Sequence, residues 1–204
     1  MTGKTDGRAE RARATRARIT AAATATFTTS GYATTSINAI AAAAGVSEQT
    51  VYYSFGNKRA VLAAALDRAI AGDDEPTPTL ERPWVQAALA EPDSHRQIER
   101  QVEGVGEVLR RAARLLDIIR NAATDPELAE VCATAIGHHH EVQGVFAKAL
   151  STKAELRTDL STATDTSVAL LSPETYLLLV DHLGWPHERW RIWAADCLIR
   201  TLIT

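Results

Sequence analysis

This 204-residue sequence predicts an all-α protein, a small N-terminal helical domain followed by a larger helical one, on three observations. Apolar residues recur at steps of three and four through most of the chain; glycine and proline fall at the ends of those stretches; and no Asn-Gly or Asp-Gly pair separates two apolar runs in the manner of a β-hairpin.

Residues 1–14 have almost no apolar side chain beyond alanine and are expected to form a mobile basic arm. Its Arg8, Arg11 and Arg13, with Arg16 and Arg18 beyond it, either follow a phosphate backbone or remain a solvated tail. A first helix is expected over 15–30, with Ile19, Ala22, Ala23 and Phe27 inward and Gly31 as its stop. Thr35 and Ser36 stand where an N-cap belongs, ahead of a short helix with Ile37, Ile40 and Ala44 on one face. Gly45 and Val46 make a turn, because glycine takes a left-handed conformation without steric cost. Ser47 caps a third helix whose buried side is Val51 and Phe55. Gly56 and Asn57 end it and cap a fourth helix, expected over 58–71 with Val61, Leu62, Leu66 and Ile70 inward.

Two short helices joined by a tight turn, the second carrying Gln49, Thr50, Tyr52, Tyr53 and Ser54 outward, suit the reading of base edges in a major groove. Gly45-Val46-Ser47, Thr50-Val51-Tyr52, Phe55 and Lys58, preceded by Phe27, Gly31, Tyr32, Thr35 and Ile40, resemble the helix-turn-helix DNA-binding domain of the TetR family of transcriptional repressors. The resemblance spans roughly residues 15–70. It implies base contacts from Gln49, Thr50 and Tyr52, with Asn38 and Ser54 as weaker candidates, and phosphate contacts from Thr35, Ser36, Ser47, Tyr53 and a free Lys58. Ser54 stands where many relatives carry a larger side chain. The resemblance also implies a dimer on a near-palindromic double-stranded operator, since one recognition helix buries too little for specificity, and a small-molecule effector bound in the body.

Residues 72–83 carry three prolines and cannot continue a helix, so the boundary between a 15–71 head and an 84–204 body is placed there. From His95 to Ile119 the residues Ile98, Val102, Val105, Leu109, Ala112, Leu116 and Ile119 form one stripe, with an interruption expected near Gly104 and Gly106. Asp125-Pro126-Glu127 opens the next helix, with the stripe Leu128, Val131, Ala135, His139, Val142, Phe146 and Ala149. Ser172-Pro173-Glu174 opens another, Gly184 ends it, and a last helix runs from Trp185-Pro186 to the terminus. An effector cavity, implied by the resemblance, is expected among Val102, Val105, Leu109, His139 and Phe146; a satisfied core histidine is the other reading of His139. The last helix is apolar on more than one side. Either a partner chain covers Val168, Leu171, Trp190, Trp193, Cys197 and Leu198 in a homodimer, or all of them pack within one chain.

The net charge of -3 hides a basic first third: residues 1–70 hold nine Lys or Arg against four Asp or Glu, and residues 71–204 hold 13 against 21. A polyanionic partner is therefore expected for the first third, and the acidic remainder argues against a nonspecific DNA-packaging role. No run of 18 uncharged apolar residues is present, so no membrane partner is expected. Cys132 and Cys197 are too few and too far apart for a disulfide framework or a metal site, which fits a cytoplasmic setting. His138-His139-His140 are successive on a helix and diverge by about 100°, so they do not chelate one ion. No cofactor is expected. Phosphate-loop, nucleophile-elbow and zinc-hydrolase motifs are absent, which sets an enzyme, or a helical ligand-binding protein with a secondary DNA head, as the competing reading.

Overall fold

A computed structural model describes residues 3–75, 77–122 and 125–204. Its α-helices are α1 (Gly3–Ser30), α2 (Ile37–Ala44), α3 (Glu48–Phe55), α4 (Lys58–Ala71), α5 (Pro83–Ala90), α6 (Ser94–Asn121), α7 (Pro126–Ser151), α8 (Leu160–Leu170), α9 (Pro173–Leu177) and α10 (His187–Leu202). A 3-10 turn at Thr79–Glu81 precedes α5, and a π-turn at Leu178–His182 extends α9. Pairing between extended segments is limited, among the described residues, to one isolated bridge, Leu156 with Ile203, which pins the C-terminal end.

Local chemistry explains the short N-terminal helices. Ser36, Ser47 and Asn57 each accept a hydrogen bond from the third amide beyond them, satisfying donors that a first helical turn leaves open. Gly45 at φ 64° lets α2 stop and the chain turn into α3 within three residues. Helix α1 begins at Gly3, twelve residues ahead of the expected start, so the basic arm is a helical extension and not a mobile tail. Its alanine and arginine content is helix-favouring even without an apolar stripe.

Ile19, Phe27, Ile40 and Val51 are fully buried at the centre of the head, with Val46 and Phe55 half-buried around them. The same apolar cluster continues through Leu62, Leu66 and Ala69 of α4 into Ala112, Leu115 and Ile119 of α6. The 72–83 segment is thus a break in the chain path and not in the core. Asp73 and Arg82, near its two ends, form a two-point ion pair at 2.7 and 3.1 Å that draws the segment into a loop.

Helix α6 runs without interruption through Gly104 and Gly106. These glycines admit tryptophans: a Cβ on Gly104 would stand 2.0 Å from Cε3 of Trp84, and one on Gly106 2.9 Å from Cζ3 of Trp190. The sequence pattern cannot separate this use of glycine from a helix break, since the ring filling each notch comes from a distant segment.

Leu171, Trp190 and Leu198 are fully buried in their own chain, packed with Ile98, Val102 and Leu109. The expectation that they face a partner subunit is therefore corrected: Trp190 and Leu198 form the inward side of α10, and Leu171, just past the end of α8, packs in the same core. Trp193 and Cys197 are half-buried, and Ile192, Leu178 and Leu183 carry the exposed apolar surface. Among the described residues no helix is long and apolar enough to cross a membrane.

Replacing Gly104 by alanine is expected to destabilise the fold by about 1–3 kcal/mol, because the Trp84 ring has to leave its notch, and this outweighs the roughly 1 kcal/mol that alanine gains in helix propensity. Thermal unfolding checks it; an unchanged or raised melting temperature goes against the packing argument.

Candidate nucleic-acid interface and cavity

Helix α3 is anchored by one fully buried side chain, Val51, and by the half-buried Phe55. Glu48, Gln49, Tyr52 and Tyr53 face outward. Gln49 is exposed, Tyr52 is 51% exposed and Tyr53 88% exposed. An aromatic side chain left this open costs hydrophobic stabilisation, which a protein tolerates where the ring has another surface to meet. Asn38 on α2 donates to Glu48 on α3 at 2.5 Å, joining the two helices across the turn. Ser47 and Thr50 share a hydroxyl–hydroxyl contact of 2.8 Å, and Ser47 also accepts from the Thr50 amide, so both side chains serve the cap of α3 first.

Two residues expected to meet DNA, Thr35 and Lys58, and one arginine left open between phosphate and solvent, Arg16, make contacts within the fold. The side chain of Thr35 is buried, and its hydroxyl donates to the Gly31 carbonyl at 2.7 Å beyond the end of α1. Lys58 is not free: its ammonium donates to the carbonyls of Tyr32 and Thr35, each at 2.9 Å, and lies 4.3 Å from the Tyr32 ring centre. Arg16 donates to the Ser54 carbonyl and stacks on the Phe55 ring at 4.1 Å, locking α1 to the end of α3. Ser54 itself is half-buried. Arg13 and Arg18 on α1 are exposed. Sequence spacing placed Lys58 near the N-terminal end of α4 but carries no sign of the loop carbonyls folded over it.

The larger body encloses a cavity of about 680 Å³ between α4, α6, α7 and the ends of α8 and α9. Val105, Leu109 and His139 border it as expected. Val102 and Phe146 do not: Val102 faces the core shared with α10, and Phe146 stacks on Trp84 at 6.1 Å between ring centres. The polar part of the wall comes from residues that the apolar stripes gave no reason to select, including Asp67 of α4 and Gln143 of α7. Burial raises the Asp67 carboxyl above its ordinary range, and nearby His138 opposes the shift. Burial also lowers the His139 imidazole, while a hydrogen bond to the Val168 backbone acts the other way.

The three consecutive histidines point apart: His139 enters the cavity wall, His138 lies towards Asp67, and Nε2 of His140 is 3.2 Å from Asp165. Among the described residues no group of three or more His, Cys, Asp or Glu is arranged to hold a metal ion.

Residues 19–65 match the family model of bacterial regulatory proteins, tetR family. No curated protein matches the chain in sequence. Three solved structures share the fold: SmeT in complex with triclosan, at 21% identity and TM-score 0.70 over 94% of this chain and 92% of that one; a TetR transcriptional regulator from Chloroflexus aurantiacus, at 20% and 0.67 over 95% and 98%; and NalD, the secondary repressor of the MexAB-OprM multidrug efflux pump in Pseudomonas aeruginosa, at 21% and 0.66 over 95% and 98%.

Substituting Lys58 by methionine, which keeps the length of the side chain and removes its donors, is expected to cost about 1–3 kcal/mol of stability through two lost charged hydrogen bonds. Chemical denaturation of the purified protein measures this. A variant as stable as the parent would return Lys58 to the role of a free cation.

Proposed function

We propose that the chain is a DNA-binding transcription regulator of the TetR family, whose model matches residues 19–65, and that it acts as a dimeric repressor released from a near-palindromic operator by a small molecule. The observation that carries the reading is the outer face of α3, where Gln49, Tyr52 and Tyr53 stand in solvent on a capped helix held from behind. Side chains with no task in the fold are available for one outside it.

The roles follow from the chemistry of each group. Gln49 has the amide that pairs with an adenine edge, and Tyr52 offers a ring for a thymine methyl and a hydroxyl for a base or phosphate. Ser36, Ser47 and Tyr53 are assigned to phosphates in this reading, while Asn38 bonds to Glu48 and Thr50 to Ser47, which leaves both a lesser part in base contact. Thr35 and Lys58 act one step back, holding the loop that presents α2. The arginines on the exposed side of α1 supply the sequence-independent attraction.

Residues 15–71 form the head, 72–83 the connecting loop and 84–204 the body in this reading. Two heads are required for operator specificity, with half-sites one or more helical turns apart. The exposed Ile192, Leu178 and Leu183, flanked by half-buried Trp193 and Cys197, form the apolar surface on which a second copy would pack. The cavity serves release because α4 forms one wall of it and leads directly to the head. A ligand acts only through its preference for the DNA-incompetent state, about 1.4 kcal/mol for each tenfold loss of operator affinity. SmeT, which shares this fold, is known in complex with triclosan, and this supports a small organic molecule as the ligand here.

Selection of the purified protein against random duplex DNA at near-physiological salt tests the reading. A near-palindrome is expected to be enriched; enrichment of no sequence would refute sequence-specific regulation by the free protein. On the selected site, Gln49→Ala is expected to relax the preference at one symmetric base position by about 1–3 kcal/mol while leaving the others intact, as competition binding with single-base variants would show.

A further inference from the structure

The cavity wall contains two polar atoms with no partner. Gln143 is fully buried, and its side-chain oxygen accepts from Nε2 of Gln101 at 2.6 Å, but its own Nε2 has no hydrogen-bond acceptor. His139 likewise leaves Nε2 unpartnered. A buried donor or acceptor left open costs on the order of 1–3 kcal/mol, so two of them on one wall need an explanation.

Their chemistry is complementary. With Nε2 of His139 unpartnered, its hydrogen bond to the Val168 backbone belongs to Nδ1, which must be the protonated nitrogen to donate to a carbonyl. In a ring protonated only at Nδ1, Nε2 is a lone-pair acceptor, whereas the Gln143 amide is a donor. The two residues are four apart on α7, neighbours on one helix face. A single hydroxyl satisfies both, its oxygen accepting from Gln143 and its proton going to His139. A ketone or ether fills only the first, and an ammonium only the second.

The rest of the wall favours an apolar body and disfavours a negative charge. It is largely apolar, with Val105, Leu109, Leu116 and Trp84 among its members. Asp67, Glu75 and Glu141 also border it, while the guanidinium groups on the wall are already committed, Arg82 to Asp73 and Arg120 to Glu174. An anionic ligand would meet carboxylates with no free arginine to offset them. The volume of about 680 Å³ lies within the range of cavities that hold drug-sized molecules.

We infer that the effector is a mainly apolar molecule without negative charge that carries one hydroxyl group, an alcohol or a phenol, held between the amide of Gln143 and the imidazole of His139. This rests on the reading of the body as an effector domain and specifies what it takes.

The test is a fluorescence titration of the full chain with 1-hydroxypyrene, pyrene and 1-pyrenecarboxylate. The hydroxyl compound is expected to bind roughly tenfold more tightly than pyrene, the worth of a hydrogen bond to an otherwise open buried group, and the carboxylate more weakly than either. That preference is expected to vanish in His139→Phe and in the double variant Gln101→Leu/Gln143→Leu, which removes both amides so that neither is stranded. Circular dichroism identifies any variant that has lost its fold, and His139→Phe and the double variant each suffice alone. Equal binding of hydroxypyrene and pyrene, preference for the carboxylate, a preference that survives in the folded variants, or no binding by any of the three overturns the inference. Adding 1-hydroxypyrene to the protein on its selected operator separates this from the regulatory reading. Hydroxyl-selective binding with the DNA retained would sustain the ligand class and refute release through this cavity; DNA release by pyrene and hydroxypyrene alike would do the reverse.

Discussion

Helix α4 is fastened to main-chain carbonyls at both of its ends, and the relation of head to body depends on those two fastenings. At its start Lys58 reaches back to the carbonyls of Tyr32 and Thr35, in the loop between α1 and α2. At its finish Arg111 of α6 donates to the carbonyls of Ala69 and Ile70, acceptors that the last turn of a helix leaves without a partner. Between the ends, Leu62, Leu66 and Ala69 are buried in the apolar cluster shared with α6. Helix α4 thus spans from the Asp67 and Ile70 wall of the cavity to the loop ahead of α2.

The cavity owes its existence to what fills the space around it. Trp84 is seated against Gly104 and stacked on Phe146, so α5 lends one ring to the cavity wall. Trp190 sits against Gly106 with Tyr176 edge-on at 5.0 Å. Two large rings, one from α5 and one from α10, thus brace α6 while the space between it, α4 and α7 stays unfilled. The polar groups at that unfilled face are hydrogen-bonded on their outer atoms, Gln143 to Gln101 and His139 to Val168, so their orientation is set before any ligand arrives.

The sequence made the head legible almost residue by residue, because its signals are local. Ser36, Ser47 and Asn57 are caps in sequence and in structure, Gly45 is left-handed, and the apolar residues expected inside the head are buried or half-buried. What escaped was long-range. Neither the capture of Lys58 by a loop 23 to 26 residues earlier nor the filling of Gly104 by Trp84 has a local signature. The same limit explains the effector and interface residues. Periodicity tells which residues of α6, α7 and α10 turn inward, but not whether inward means a packed core, as for Val102, Phe146, Trp190 and Leu198, or an open space, as for Val105 and Leu109. Helix α1 shows the opposite failure. Without an apolar stripe its first twelve residues carried no periodic signal, and helix propensity alone is a weak prior.

The division of labour on α3 has an evolutionary consequence. Val51, Phe55 and the Ser47 cap hold the helix in place, whereas Gln49 and Tyr53 are spent on nothing inside the molecule. Exchanges at the latter positions carry little thermodynamic penalty. Paralogues arising from this chain can therefore drift in binding preference while retaining an intact scaffold, and the positions through which they diverge are separate from those that keep them folded.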